Sequence, residues 1–585
     1  MDFLKPNTVV IFDNQKKQWL CFNSPKQIIQ TSKISGVTSA LQKVEAIVNS
    51  QGVFAAGFVG FDASTAFDDA LCVKQGNSKF PLVWFGLYEK PRRFHFPDIK
   101  TIEHCENYTW KPSIDFTGYK KKIALIKEYI AAGITYQVNY TFNLKTRIKN
   151  CPWNFFKKLV CNQNSPYSAF LHIGSHSICC ASPELFFNLE NNTLFCKPMK
   201  GTAQRGQTLK SDMLQKEWLQ NSEKNKAENV MIVDMVRNDM GKIATNATVH
   251  VPTLFACEKY PTVWQMTSSV ECTTKATVSA IFGALFPCAS ITGAPKVSTM
   301  EIIKNMESDA RGLYTGSIGF IAPKRRAQFN VAIRTVVIDN KTKSASYGVG
   351  GGIVWQSDAK EEHEECRIKA GVLAKSTPDF SLLETMLYSC KSGIYLAEMH
   401  LKRLAGSAQY FDFPCNIQTI AEELTAYCSK FKKPLYRVRL LLDKSGSVRM
   451  EANELGPLKK IAALRLALAP EPIDSSDRFL YHKTTNRAVH ERAAHTRPGF
   501  DDVLLYNEKG LVTETTTANI VIKTKDGLIT PQLSCGLLPG TMRQHVLSRG
   551  KIKEGTVTIS DLKKSKEIYC INSVRKWRPA IFVED

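Results

Sequence analysis

Absences set the first bounds on this 585-residue chain. It has no apolar run of 18 residues, so no membrane-spanning helix is expected, and Met1–Trp19 lacks the unbroken apolar centre of a secretory signal. Its 17 cysteines include no Cys-x-x-Cys pair, which argues against a disulfide frame or a zinc site and for reduced thiols of the cytoplasm. Low-complexity blocks, internal repeats and a basic tail or arm are also missing. Charge of one sign is present in excess: 77 basic against 54 acidic residues give +23, which raises nucleic acid as a partner. The excess is spread evenly, +15 over residues 1–375 and +8 over residues 376–585. A nucleic-acid binder concentrates its charge, so neither nucleic acid nor a membrane is expected as a partner.

The length requires more than one domain. Alternation predicts strands at Ser177–Ala181, Leu185–Asn188, Gln328–Ile338 and Ser344–Gly348. Helical periodicity marks Tyr119–Ala132, Lys224–Arg237, Lys296–Met306 and Lys360–Lys375, the last broken by Ser376-Thr377-Pro378-Asp379. One division is therefore expected, between units 1–375 and 376–585, both of α/β class.

In the first unit, acidic residues recur in polar settings. Glu184 follows Ser182-Pro183, Glu228 lies on a helix, and Glu362 and Glu365 share a face of a charged helix. Such carboxylates suit a hard, water-retaining cation such as Mg²⁺, or simply a solvated acidic face. Gly348, Gly350, Gly351 and Gly352 allow close approach of backbone to an anion. Arg334 lies in an apolar stretch, where an unpaired charge is costly, and Lys369 falls one turn beyond Glu365. Alone, each reads first as an internal salt bridge; an anionic substrate is the other natural partner. Lys200, in Pro198-Met199-Lys200-Gly201-Thr202, is a turn charge or, if its pKa is lowered, a nucleophile.

Ser182–Phe186, Pro198–Thr202, Ala227–Asp239, Ala289–Lys296, Ile333-Arg334-Thr335 and Gly350–Lys369 resemble, in this order, the chorismate-utilising enzymes. The resemblance covers most of residues 120–375 and implies a large two-sheet α/β sandwich. Anthranilate synthases of this family carry Ala at the position of Lys200, whereas Lys resembles the subgroup that makes 4-amino-4-deoxychorismate. Isochorismate and salicylate synthases place a water-activating Lys where this chain has Gln137, so the resemblance implies ammonia as the incoming group. It further implies Lys200 as covalent nucleophile, Glu184 as proton donor and Glu228, Glu362 and Glu365 as Mg²⁺ ligands. Tyr314, Arg334, Lys369, Ser290, Thr202 and the Gly350–Gly352 amides would hold chorismate. Gln265 stands where the family usually has His, and Gln cannot shuttle a proton near neutrality.

In the second unit, Lys483 sits in Tyr481–Arg487, Glu514 precedes a strand, and Gly536–Arg543 is a glycine turn opening a helix. Alone, each is an ordinary turn or cap. Together with Leu383-Glu384-Thr385 and His400–Leu404 they resemble the fold-type IV pyridoxal phosphate enzymes, over residues 380–585. The resemblance implies Lys483 as Schiff-base lysine, Glu514 as partner of the pyridine nitrogen, and Arg403, Gly540 and Thr541 as phosphate contacts. It also implies a homodimer, and it leaves lyase and transaminase open. Fusion favours the lyase, since the first unit's product is that enzyme's substrate and the pair would yield 4-aminobenzoate for folate. No Cys-His-Glu glutaminase pattern occurs, so ammonia is expected from solution or a separate glutamine amidotransferase. The alternatives are an anthranilate synthase component joined to an aminotransferase or, outside enzymes, a basic nucleic-acid-binding protein.

Overall fold

The structure is a computed structural model describing residues 3–76, 80–96, 108–163, 165–373, 378–456, 462–525 and 527–584. It divides into two compact units, the first comprising Met1–Gln204 and Lys216–Thr377, the second Arg205–Gln215 and Pro378–Asp585. The excursion of Arg205–Gln215 into the second unit departs from a single division near residue 375. Residues 374–377, where that division was expected, lie outside the described residues. The described cysteines are free thiols, and no described helix is long and apolar enough to cross a membrane.

The first unit is built on two ten-stranded sheets. Residues of alternating strands face one another between them, with Val9, Phe22, Phe58, Trp84, Leu171 and Phe320 buried there. The outer face of one sheet is covered by helices Val37–Gln51, Glu223–Gly241 and Val278–Leu285. The other is covered by Phe116–Ala131, Pro152–Gln163, Lys296–Met306 and Ala359–Ala370. This is the α/β sandwich expected from the sequence. The helix Phe116–Ala131 starts where Asp115 accepts a hydrogen bond from the Gly118 amide, and Ala359–Ala370 starts where Asp358 accepts from Lys360 and Glu361.

One expected strand is two. The run Gln328–Ile338 breaks into Arg326–Val331 and Thr335–Asp339. At the break Arg334 takes φ +52°, a left-handed conformation no strand tolerates. The glycines also differ from expectation: Gly348–Gly352 continue the strand Ser344–Ile353 rather than follow it. They pair with Asn139–Asn143 on one edge, while Thr335–Asp339 pairs only with Ala345, Ser346 and Tyr347 on the other.

The second unit contains a four-stranded and an eight-stranded sheet. In the latter the additional pairing Glu514↔Asn519 closes a ring of strands. Helices Ala397–Phe411 and Ile417–Cys428 cover one face of the smaller sheet, burying Leu382, Met386, Val438, Leu440 and Leu442. Arg205–Gln215 is anchored within this unit. Arg205 pairs with Asp212 at 2.6 Å, and its guanidinium lies 4.6 Å from the Tyr410 ring. Tyr410 donates to the Gly206 carbonyl at 2.7 Å.

Candidate active sites

Each unit holds a polar cavity containing its predicted lysine. In the first, a cavity of about 420 Å³ is lined by every residue assigned to the site from the sequence except Gly351. Local backbone explains how Lys200 reaches it. The strand Met199–Gln204 bulges against Val263–Thr273 between Met199 and Thr202, and Gly201 has φ +98°. The bulge is held by Asn229, which donates to the Lys200 carbonyl, and by Gln265, which donates to the Thr202 hydroxyl at 2.9 Å. Gln265 therefore braces the strand. Withdrawal from solvent, reinforced by Lys369 and opposed by Glu228 and Glu184, holds Lys200 below the usual lysine range.

Glu184 is 3% exposed and accepts a hydrogen bond from Ser290 at 2.6 Å. Burial pushes its pKa up to about 7, against the pull of Ser290 and Lys200. It is thus an acid about half protonated at neutral pH, poised to give a proton to a leaving group. Gln137 is 1% exposed, and among the described residues neither its amide oxygen nor its nitrogen has a hydrogen-bond partner. A buried amide left open is costly unless something fills the space before it.

The glycines turn out to be clearances. A Cβ at Gly348 would meet the Tyr314 ring at 2.2 Å; one at Gly352 would meet Gln137 Nε2 at 2.3 Å and Lys200 Nζ at 2.8 Å. The anchoring of Arg334 is equally local, through a hydrogen bond to the Lys369 carbonyl, which Tyr347 also contacts at 3.1 Å. Lys369 donates to the Gly350 carbonyl at 2.9 Å and pairs with Glu365 at the same distance. That ion pair holds Glu365 below the usual carboxylate range, whereas burial, eased by a hydrogen bond from Ser357, raises Glu362. Glu228, Glu362 and Glu365 all line the cavity, but no group of three or more potential ligands converges among the described residues. An all-oxygen donor set that leaves much of the shell to water and substrate fits Mg²⁺. Trp218, Lys224, Asn225, Glu361 and Tyr347 also line this cavity and were not assigned to it, although Glu361 lies within the Gly350–Lys369 motif and Lys224 and Asn225 within the expected helix Lys224–Arg237.

The second cavity, of about 340 Å³, brings together Lys483, Glu514, Arg403, Gly540 and Thr541. Burial, with Arg403 nearby, lowers the Lys483 pKa to about 8, which favours an amine able to form a Schiff base. Arg403 is engaged more deeply than expected: it forms a two-pronged pair with Glu384 at 2.9 and 2.6 Å. Burial would raise Glu384, but Arg403 and His400 outweigh it and bring the pKa to about 2. His400 Nδ1 lies 2.6 Å from Glu384, and a carboxylate only accepts, so His400 Nε2 accepts from Thr541 at 3.2 Å. This Arg403–Glu384–His400–Thr541 chain was missed, although Glu384 and His400 stand in the motifs that carried the resemblance.

Glu514 accepts from the Leu538 amide and from Asn519, and His490 Nε2 lies 3.3 Å from it. At Gly540 a Cβ would fall 2.0 Å from Asn519 Oδ1, so only glycine fits this turn at the start of the helix Thr541–Ser548. A buried amine, a carboxylate and a glycine turn before a helix fit pyridoxal phosphate. His482, beside Lys483, faces the Gln207 carbonyl at 3.0 Å and Ser407 at 2.9 Å; burial lowers its pKa to about 4, so it stays neutral.

Comparison with known proteins separates the same two parts. Residues 98–375 match the chorismate binding enzymes and residues 381–581 the class IV amino-transferases. The chain therefore carries a part similar to the chorismate binding enzymes followed by a part similar to the class IV amino-transferases. It is similar to aminodeoxychorismate synthase component 1 of Bacillus subtilis, 37% identical over 261 residues, covering 44% of this chain and 55% of that one. To the chloroplastic aminodeoxychorismate synthase of Arabidopsis thaliana it is 38% identical over 296 residues, covering 49% of this chain and 32% of that one. The chain thus spans about a third to just over half of these relatives. Among solved structures, anthranilate synthase component I from Streptococcus pneumoniae shares the fold, with TM-score 0.54 at 22% identity, covering 63% of this chain and 93% of the other.

Proposed function

We propose that the chain joins ammonia to chorismate at the Lys200 site, giving 4-amino-4-deoxychorismate, and removes pyruvate from that product at the Lys483 site, giving 4-aminobenzoate for folate synthesis. The observation that carries this reading is the set of groups around Lys200: a lowered amine, a Glu184 raised to about 7 and the open amide of Gln137. Neutral Lys200 Nζ attacks ring carbon C2, the ring double bonds shift, and the 4-hydroxyl leaves as water with the Glu184 proton. Ammonia then adds at C4, the double bonds shift back, and Lys200 leaves C2 as the neutral amine. The proton lost by the new ammonium returns to Glu184. The Gln137 carbonyl orients the entering nitrogen by accepting one of its N–H bonds. Arg334, Lys369, Tyr314, Ser290, Thr202 and the edge of Gly350–Gly352 receive the substrate. Glu228, Glu362 and Glu365 would hold Mg²⁺, which supplies positive charge for the ring carboxylate.

In the second unit Thr541, Gly540 and Arg403 would hold the phosphate of pyridoxal phosphate and Glu514 its ring nitrogen. When bound, the cofactor withdraws electrons from the carbon bearing the amino group. Lys483 then takes the proton from C4 as the bond from C3 to the enolpyruvyl oxygen breaks, and the ring becomes aromatic. The B. subtilis relative carries the name component 1, which supports a separate amidotransferase as the source of ammonia. A cytoplasmic setting and self-association through the second unit complete the reading.

The test is to incubate the purified protein, loaded with pyridoxal phosphate, with chorismate, Mg²⁺ and ammonium and to identify the aromatic product. 4-Aminobenzoate and pyruvate in equal amounts are expected; anthranilate would overturn the reading.

A further inference from the structure

The smaller sheet of the second unit presents two unlike faces. In the strand Leu435–Leu442, Val438, Leu440 and Leu442 point into the core beneath the helices. Alternation sends Arg437 and Arg439 to the opposite face. The strand Leu382–Ser389 pairs with it in the register Thr385↔Arg439 and Leu387↔Arg437, and both arginines line the Lys483 cavity together with Leu383 and Thr385. Two adjacent cations on the wall of a cavity need a reason, because like charges side by side repel.

The other two arginines of this cavity already have partners. Arg403 is neutralised by Glu384, and Arg487 donates to the Thr516 carbonyl. Arg439 has a partial counter-charge, with Nη1 3.4 Å from Glu451 in the neighbouring strand. Across from Arg437 that strand offers Asn453, and no described carboxylate pairs with Arg437. Glu514, engaged elsewhere, is the only acidic residue lining the cavity. Among the described residues, the wall therefore carries positive charge at Arg437 that no carboxylate offsets.

We propose that Arg437, with Arg439 beside it, receives a second carboxylate of the substrate and so selects a dicarboxylate over a simple amino acid. This rests on the reading of the second unit as the lyase, whose substrate carries both a ring and an enolpyruvyl carboxylate. A transaminase substrate with one carboxylate would leave Arg437 without a role. A site built to pair with a group discriminates strongly against ligands that lack it.

The test compares the pyridoxal phosphate holoenzyme with its Arg437→Gln and Asn453→Asp variants, the second placing a carboxylate opposite Arg437 without removing it. The probes are isophthalate, with two carboxylates, and benzoate, with one, titrated as inhibitors and by calorimetry. Isophthalate should bind each variant about 10- to 100-fold more weakly, the worth of one charge-assisted hydrogen bond, while benzoate changes less than about 2-fold. The cofactor absorbance band should not move. With 4-amino-4-deoxychorismate supplied, KM should rise by a similar factor while kcat holds within about 3-fold. Equal weakening of both probes, or of neither, would overturn the proposal. If the wild-type holoenzyme releases no 4-aminobenzoate from the supplied intermediate, the lyase reading fails, and the probe contrast alone decides the role of Arg437.

Discussion

Lys200 and Lys483 invite comparison because both are amines held below the ordinary lysine range by withdrawal from solvent, yet their surroundings divide the chemistry differently. Beside Lys200 stands Glu184, an acid that keeps its proton to about pH 7. Near Lys483 lie two buried acids, Glu514 and Glu384, and Glu384 is ionised and committed to Arg403 and His400. In the proposed reaction the first site therefore separates nucleophile from proton donor. In the second, Lys483 is the amine that the proposed reaction uses to move the proton. Burial alone does not decide which role a carboxylate takes; the presence of an arginine does.

The sharpest way to break this comparison is to remove each lysine. Lys200→Ala should lower formation of 4-amino-4-deoxychorismate on the order of 10⁴-fold while conversion of supplied intermediate persists, and Lys483→Ala should do the reverse. Product analysis of both half-reactions checks it, and loss of both activities in either variant would undo the assignment of separate sites. Glu184→Gln should cost the first reaction about 10³-fold. The sign of its pH dependence follows from the raised pKa. Glu184 donates while protonated, so wild-type kcat/KM for chorismate should fall as pH rises through about 7, and the variant should lose that limb.

A smaller effect comes from Gly352→Ala, whose Cβ would fall against Gln137 and Lys200. Displacement of about 1 Å at a reacting group costs roughly 10²-fold, so ammonia-dependent turnover should fall by that order with the lyase reaction unchanged. The mildest prediction concerns cofactor capture. Only the neutral amine forms the link, and the Lys483 pKa lies near 8. Between pH 6 and pH 7 the rate at which apoprotein takes up pyridoxal phosphate should therefore rise about tenfold, levelling above pH 8. Stopped-flow absorbance measures it directly, and a rate still climbing tenfold per unit at pH 9 would contradict the lowered value.

Much of this arrangement was legible in the sequence where local pattern and tertiary role coincide. Lys296–Met306 was read to its ends because its apolar period is helical and Pro295 stands before it. The strand Gln328–Ile338 was read as one because its apolar residues are nearly continuous, and nothing local announces that Arg334 turns left-handed between two strands. Gly348–Gly352 read as an anion cradle, since glycine before a helix commonly is one, whereas their main service is to make room for Tyr314, Gln137 and Lys200. Arg437 and Arg439 were invisible because a charge in an alternating strand looks like a solvated face until the cavity beneath it is known. Arg403 was found through its motif, but its pairing with Glu384 depends on a contact 19 residues away in the chain.

The passage of Arg205–Gln215 into the second unit means that the two units are not placed end to end along the chain. A fragment starting at Pro378 would lack the Gln207 carbonyl that His482 faces and the Gly206 carbonyl that accepts from Tyr410. Tyr410 and His482, both buried in the whole chain, would lose that cover next to Lys483. A single cut near residue 377 would therefore leave part of the second unit's structure on the first fragment.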